Sequence, residues 1–321
     1  MEKIITARVT ENLLGKYILE DKNNNKYEAI LTGNVKSKNS VLIGDMVEFN
    51  KSYDKYTIRK VLPRKNSLIR PPVSNIDNLV IMLSVASPSP DYILLDKQII
   101  LCKSKNITPV ICVNKTDLLE NTEEAKEELN YIMKVYTNLG IKVIYTSTVK
   151  KEGMDKLKEV LRGKVSAFSG NSGVGKSSIT KEILGCKNED ILIGKVGEKT
   201  NKGKHTTKYV KLYSLQDNTY ILDTPGFSSY ELYDIDYKNL PSYYPEFKNI
   251  KCDYEDCMHV NEDISVCRVK KLVKECIIDK KRYERYVYIY NKLKELDDKK
   301  YKRWYYAKKY INIYFRREEY T

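Results

Sequence analysis

Apolar and polar residues alternate along the first sixty-odd positions. The stretches "KYILED" (16–21), "KYEAIL" (26–31), "DMVEFN" (45–50) and "KYTIRKVL" (55–62) follow this rule, with turn signals in "DKNNNK", "TGN" and "IGD" between them. Several short half-buried strands at this spacing predict a small β-barrel. "RPPVSNID" (70–77) is a connector, because Pro71 and Pro72 cannot continue a strand ladder. From Leu79 the pattern changes to continuous apolar runs, "NLVIMLSV", "TPVICVN", "IKVIYTS" and "KVSAFSG", as buried parallel strands require. Helical stretches such as "DYILLDKQIILCKSK" (91–105) and "EEAKEELNYIMKVYTNLG" (123–140) lie between these runs. This alternation predicts a doubly wound α/β domain. After Pro241 the chain turns cysteine-containing, then basic and helical. The expectation is therefore a multidomain protein: a barrel over 1–68, an α/β domain over 72–235 and a Cys/His and basic helical domain over 240–321.

Charge adds a partner class. The 321 residues carry a net charge of +14. From Arg268 onward there are 18 basic and 8 acidic residues, so most of the excess lies in the last sixth of the chain. Basicity concentrated on one segment favours a polyanionic partner such as RNA. The N-terminal "MEKIITARVT" has neither the apolar core nor the cleavage site of a signal peptide, and "NLVIMLSVA" is too short to span a membrane. Seven cysteines, four of them between 252 and 276, fit a reducing compartment and a local metal site better than a disulfide framework. A cytoplasmic protein without membrane attachment is expected.

Two segments carry nucleotide chemistry. Gly170, Asn171, Ser172, Gly173, Val174, Gly175, Lys176 and Ser177 match G-x-x-x-x-G-K-[ST] between an apolar strand and the helical "SSITKEIL", which begins with Ser177 and Ser178. Here backbone N–H groups would face phosphate oxygens at a helix N-terminus. Lys176 would reach the β- and γ-phosphates, and the Ser177 hydroxyl would ligate Mg²⁺. "YILDTPGF" (220–227) supplies Asp223 for the Mg²⁺ side and Gly226 for the γ-phosphate. The second segment, Asn114-Lys115-Thr116-Asp117, follows a buried strand. The Asp117 carboxylate can accept two hydrogen bonds from guanine that adenine cannot offer. Asn114 would bond the base edge and Lys115 would pack over the ring. "YTSTVKKEG" provides a second base loop, in which Ser147 and Thr148 present backbone.

A third constellation lies downstream. Cys252, Cys257, His259 and Cys267 form C-x4-C-x-H-x7-C, a ligand set able to close a structural tetrahedral Zn²⁺ site. Cys276 is an alternative fourth ligand. Cys102, Cys112 and Cys186 read as core residues.

The base reader precedes the phosphate loop, the reverse of the usual GTPase order. Rotating the chain order preserves the same sheet when the original termini lie close together. The order resembles the circularly permuted GTPases. With the N-terminal barrel, the Cys/His insert, "RPPVSNIDNLVIMLS", "VNKTDLL", "SGNSGVGKSSI", "GKHTT" and "LDTPGF", it is similar to the small ribosomal subunit-dependent RsgA (YjeQ) family. The resemblance implies an OB-fold barrel, a permuted GTPase domain and a zinc domain. It also implies GTP hydrolysis stimulated by the small (30S) subunit, late 30S maturation and binding to 16S rRNA, by a protein expected to be monomeric. The family usually has a shorter gap before the last cysteine than "VNEDISV", which keeps Cys276 in play. Ras-like enzymes place a Gln after the glycine of the second switch, whereas Phe227 stands here. In "GKHTT", His205 is a candidate for orienting the attacking water and Thr206 or Thr207 for closing on Mg²⁺ and the γ-phosphate. The rival expectation is an RNA-binding module that uses GTP only as a structural ligand.

Overall fold

The computed structural model describes residues 4–31, 40–52, 55–119, 122–185, 210–223, 232 and 234–318, with the backbone alone at 223 and 300–318. His205, Thr206, Thr207, Gly226, Phe227 and Cys186 lie outside the described residues.

Five strands close the N-terminal barrel: β1 (Ile5–Leu13), β2 (Lys16–Asp21), β3 (Lys26–Leu31), β4 (Met46–Ser52) and β5 (Lys55–Val61). β1 pairs with β2, β2 with β3, β3 with β5 in parallel, β5 with β4, and β4 returns to β1. Closure leaves no strand of the ring with a free edge. The alternation read in the sequence points Ala7, Val9, Leu19, Ala29, Val47, Phe49 and Ile58 inward, all buried. A short hairpin, β6 (Ser67–Leu68) and β7 (Val73–Ser74), leads out of the barrel. Asp45 anchors this exit: its carboxylate accepts from Arg64 Nε at 2.6 Å, the Ser74 hydroxyl at 2.6 Å and the Leu42 amide at 2.8 Å.

The α/β part contains β8 (Asn78–Ser84), α1 (Tyr92–Ser104), β9 (Thr108–Asn114), α2 (Glu123–Asn138), β10 (Lys142–Tyr145), α3 (Met154–Leu161), β11 (Val165–Ser169), α4 (Lys176–Leu184), β12 (Lys211–Ser214) and β13 (Tyr220–Asp223). Its strands lie in the order β10-β9-β8-β11-β13-β12, parallel except for β12. Apolar runs without alternation mean that both faces of the sheet are covered. Leu79, Ile81 and Leu83 of β8 pack with Leu95, Ile99 and Ile132 on one side. Val80 and Met82 pack with Met154, Leu157 and Ile179 on the other. The chain runs outward from β8 to β10, then returns to the centre at β11 and runs outward the other way. The loops after β8 and β11 therefore flank the point where strand order reverses, which is where open α/β sheets bind ligands.

The chain divides into two compact units, Met1–Tyr230 and Glu231–Thr321. The second unit holds 3₁₀ turns at Tyr237–Tyr243 and Pro245–Phe247, then α5 (Arg268–Lys274) and α6 (Lys280–Glu318). Its small core is aromatic, with Tyr244, Phe247 and Tyr286 in ring contact. Arg282, 2% exposed, pairs with Glu246 at 2.5 Å and lies over the Tyr244 ring. Among the described residues, no helix is long and apolar enough to cross a membrane.

Candidate functional site

The loop 170–175 joins β11 to α4. Gly175 takes φ +95°, and a Cβ there would collide with Asn114 Nδ2, so glycine is required both by backbone conformation and by close approach. Asp91 and Thr122 cap α1 and α2 through their side chains, whereas α4 has no side-chain cap and no acidic residue in its first turn. Its amides and dipole thus suit an anion. Lys176 Nζ donates to the loop carbonyls of Gly170 at 2.6 Å and Asn171 at 2.7 Å. Burial lowers the pKa of this ammonium. Ser177 and Ser178 lie in the first turn of α4. Gly170, Asn171 and Val174 also border a small hollow whose other walls are β8 and the start of α1.

The base-reading segment lies beside this loop. Asn114, 1% exposed at the end of β9, donates through Nδ2 to Val174 O at 3.0 Å. Its Oδ1 accepts from Thr146 Oγ1 at 3.1 Å, and the Thr146 hydroxyl also meets Cys112 Sγ at 3.4 Å. The Asn114 amide thus braces the phosphate loop against the base loop. Lys115 has left-handed φ, and its Nζ donates to Ser87 O at 2.6 Å. Thr116 Oγ1 donates to Thr146 O at 3.2 Å. Asp117 Oδ1 accepts the Ser147 hydroxyl at 2.5 Å, which orients the carboxylate.

A pair of backbone bonds between Ser147 and Glu152, both 3.1 Å, closes the second base loop, with Thr148 inside it. The turn needs Gly153, at φ +73°, because a Cβ there would strike Tyr145 O. Residues 114–117, 146–148 and 170–178 therefore form one neighbourhood. Asp223 ends β13, next to β11 in the sheet. Sequence reasoning missed Thr146 and Ser87. The only signal for Thr146 is a hydroxyl residue at the end of a buried strand, and the Ser87 carbonyl leaves no sequence signal.

In the second unit, one ligand atom each from Cys252, Cys257, His259 and Cys267 gathers within 4.8 Å of the others. His259 Nδ1 stands 3.6, 3.3 and 3.6 Å from the sulfurs of Cys252, Cys257 and Cys267. The Cys252 and Cys267 sulfurs are 4.0 Å apart. Metal bonds of about 2.3 Å to sulfur and about 2.0 Å to nitrogen give tetrahedral edges of roughly 3.5–3.8 Å, so the set fits one ion. Burial raises the Cys257 and Cys267 thiols and lowers His259, so a cation is what would draw thiolates into this position. Cys267 completes the set. Cys276 does not belong to it: it lies past the end of α5 rather than on it, exposed and at φ +58°.

The knuckle also has supports that the sequence did not reveal. The Glu262 carboxylate accepts the Met258 and Val260 amides, both at 2.8 Å. Tyr283 and Tyr286 donate their hydroxyls to the carbonyls of His259 and Met258.

Comparison with known proteins agrees with this geometry. The family model for the RsgA GTPase matches residues 61–233. The small ribosomal subunit biogenesis GTPase RsgA of Caldanaerobacter subterraneus subsp. tengcongensis is 37% identical over 94% of this chain and 100% of its own. Its namesake in Ruminiclostridium cellulolyticum is 39% identical over 87% of this chain and 90% of its own. The crystal structure of YjeQ from Thermotoga maritima superposes with a TM-score of 0.78 at 30% identity, over 91% of this chain and 99% of that one. YloQ, described as a circularly permuted GTPase, gives a TM-score of 0.75 at 27% identity over 91% of this chain and 96% of that one. With a closed five-stranded barrel, a base reader that precedes its phosphate loop and a Cys/His knuckle in one chain, this protein belongs to the RsgA GTPase family.

Proposed function

We propose that this protein is a Mg²⁺-dependent enzyme that hydrolyses GTP to GDP and phosphate during late maturation of the small (30S) ribosomal subunit, and that docking on the subunit accelerates it. The Asn114 brace is the observation that carries the nucleotide part, since it joins a guanine reader to the phosphate loop through buried hydrogen bonds. The assignment to subunit maturation comes from the names of the relatives.

Within this reading Asp117 selects guanine, Asn114, Lys115 and Thr116 hold the base pocket, and Ser147 and Thr148 present backbone to it. Residues 170–178 cradle the phosphates, Lys176 leaves its loop carbonyls for the β- and γ-oxygens, and Ser177 and Thr206 hold Mg²⁺. Asp223 and Gly226 act on the metal and γ-phosphate side. His205, Thr206 and Thr207 complete the hydrolytic geometry. The Cys252, Cys257, His259 and Cys267 set holds one structural Zn²⁺ per chain, with no open position for chemistry. The domains are 1–68, 72–235 and 240–321. The barrel and the basic C-terminal helix contact 16S rRNA, and the protein works as a cytoplasmic monomer.

The test is multiple-turnover phosphate release with and without purified 30S subunits. Slow turnover alone and a rate raised by orders of magnitude on the subunit are expected, because fixing a competent geometry removes several kcal/mol of barrier. His205→Ala should lower mainly the stimulated rate. No turnover under either condition leaves the rival reading, in which GTP is a structural ligand of an RNA-binding protein.

A further inference from the structure

The barrel is built into the sheet that carries the nucleotide site. β1 pairs with β12 in the row Glu11↔Lys211. The same row continues into β13 as Lys211↔Asp223. Glu11 of the barrel and Asp223 of the metal side are therefore two strand spacings apart, about 10 Å along one line of cross-strand neighbours. An ion pair reinforces the first step, with Lys211 Nζ 2.9 Å from Glu11 Oε1.

The other end of β13 is held from the barrel as well. Tyr220, 4% exposed, lies under the Arg8 guanidinium, 4.9 Å from its ring centroid. Arg8 is itself fixed by donating to Gly44 O at 3.1 Å. β13 is only four residues long, so the barrel is tied to both its ends.

We infer that Glu11 and Lys211 are a positioning pair for Asp223, through which the barrel sets the geometry of the metal side of the nucleotide site. The inference rests on the proposed reading that Asp223 serves Mg²⁺ and that the subunit stimulates hydrolysis. A strand of four residues anchored at both ends moves as a unit with its anchors. A load on the barrel displaces β1, and the row Glu11–Lys211–Asp223 carries that displacement to the aspartate. Among the described residues, Glu11↔Lys211 is the sole register pair between β1 and β12, so its ion pair bears on the only row that joins them.

The experiment uses the full-length protein with Glu11→Lys, Lys211→Glu and the double reversal. Steady-state kcat and KM for GTP are measured with and without 30S subunits, beside subunit affinity. Each single reversal should lower the stimulated kcat about tenfold, with KM for GTP and subunit affinity unchanged, because the barrel still docks but transmits a displaced row. The double reversal should restore the rate. Neutral Glu11→Gln, which keeps the shape, should fall between wild type and the single reversals and guards against a folding defect. Full stimulation in the single reversals overturns the inference, as does a double variant no better than either single one. Wild type that is not stimulated at all overturns the functional reading instead, so the two failures are told apart.

Discussion

Thr146→Val isolates the brace between the base loop and the phosphate loop. Valine has nearly the shape of threonine and removes only the hydroxyl, which donates to Asn114 Oδ1 at 3.1 Å. Thr146 is 0% and Asn114 1% exposed, so no water can replace the lost donor. Leaving a buried amide oxygen unpaired costs about 1–3 kcal/mol. Part of that cost falls equally on the nucleotide-free and bound protein and appears only as reduced stability. The remainder falls on binding, because an amide freed at Oδ1 holds Val174 O less firmly, and Val174 is part of the phosphate loop.

At 1.4 kcal/mol per tenfold change, losses of roughly threefold to thirtyfold in both GDP and GTP affinity are expected. Fluorescent-nucleotide titration measures this directly, and Thr146→Ser, which keeps the hydroxyl, should bind as wild type does. Affinities for both nucleotides within twofold of wild type in Thr146→Val would show that the brace carries no binding energy, and that Asn114 acts elsewhere.

Asp117→Asn should weaken GTP binding and admit xanthosine triphosphate, since an amide can donate to the extra base carbonyl; unchanged base preference would remove Asp117 from the reader. Protein purified without added zinc should hold one equivalent per chain. Cys252→Ser or Cys267→Ser should lose it together with order in the second unit, while Cys276→Ser should keep both, and metal analysis with near-ultraviolet circular dichroism reads the difference.

The elements legible in the sequence were those whose physics is local. Alternation in "KYILED" and "KYEAIL" gave barrel strands, because one face of each is buried. The segment "NLVIMLS", with five apolar residues in a row, became β8, buried at all seven positions. The phosphate loop was legible because glycine spacing answers directly to backbone conformation. The Cys/His cluster was legible as a set, but choosing Cys267 over Cys276 needed three-dimensional reach. The longer gap "VNEDISV" is taken up by Glu262, which folds the insert onto the Met258 and Val260 amides and leaves Cys267 beside Cys252 and His259. The brace made by Asn114 was not legible. A motif states which residue types surround a base, whereas the partner of a buried amide depends on a loop about sixty residues away.

The seam between barrel and sheet had no sequence signal either, and the reason bears on why the rotated chain order is tolerated. The sheet of the α/β part ends at β12 on one side, and an unpaired edge strand invites association with other chains. Here β1 pairs with the first residue of β12, Lys211. Rotation of the chain order leaves β8 as the first strand of the α/β part, beside β11 at the centre of the sheet, and the link from β10 through α3 to β11 replaces the old termini. The segment entering β8 comes from the barrel exit, where Asp77 accepts the Val165 amide at 2.9 Å and so fixes the start of β11 as well. The barrel thus meets the α/β part at the strands leading to Asp223, and the segment that leaves it runs into β8 beside the phosphate-loop strand. In this chain the Glu11–Lys211 row and the continuous run from the barrel exit into β8 bring the barrel to strands on both sides of the phosphate loop.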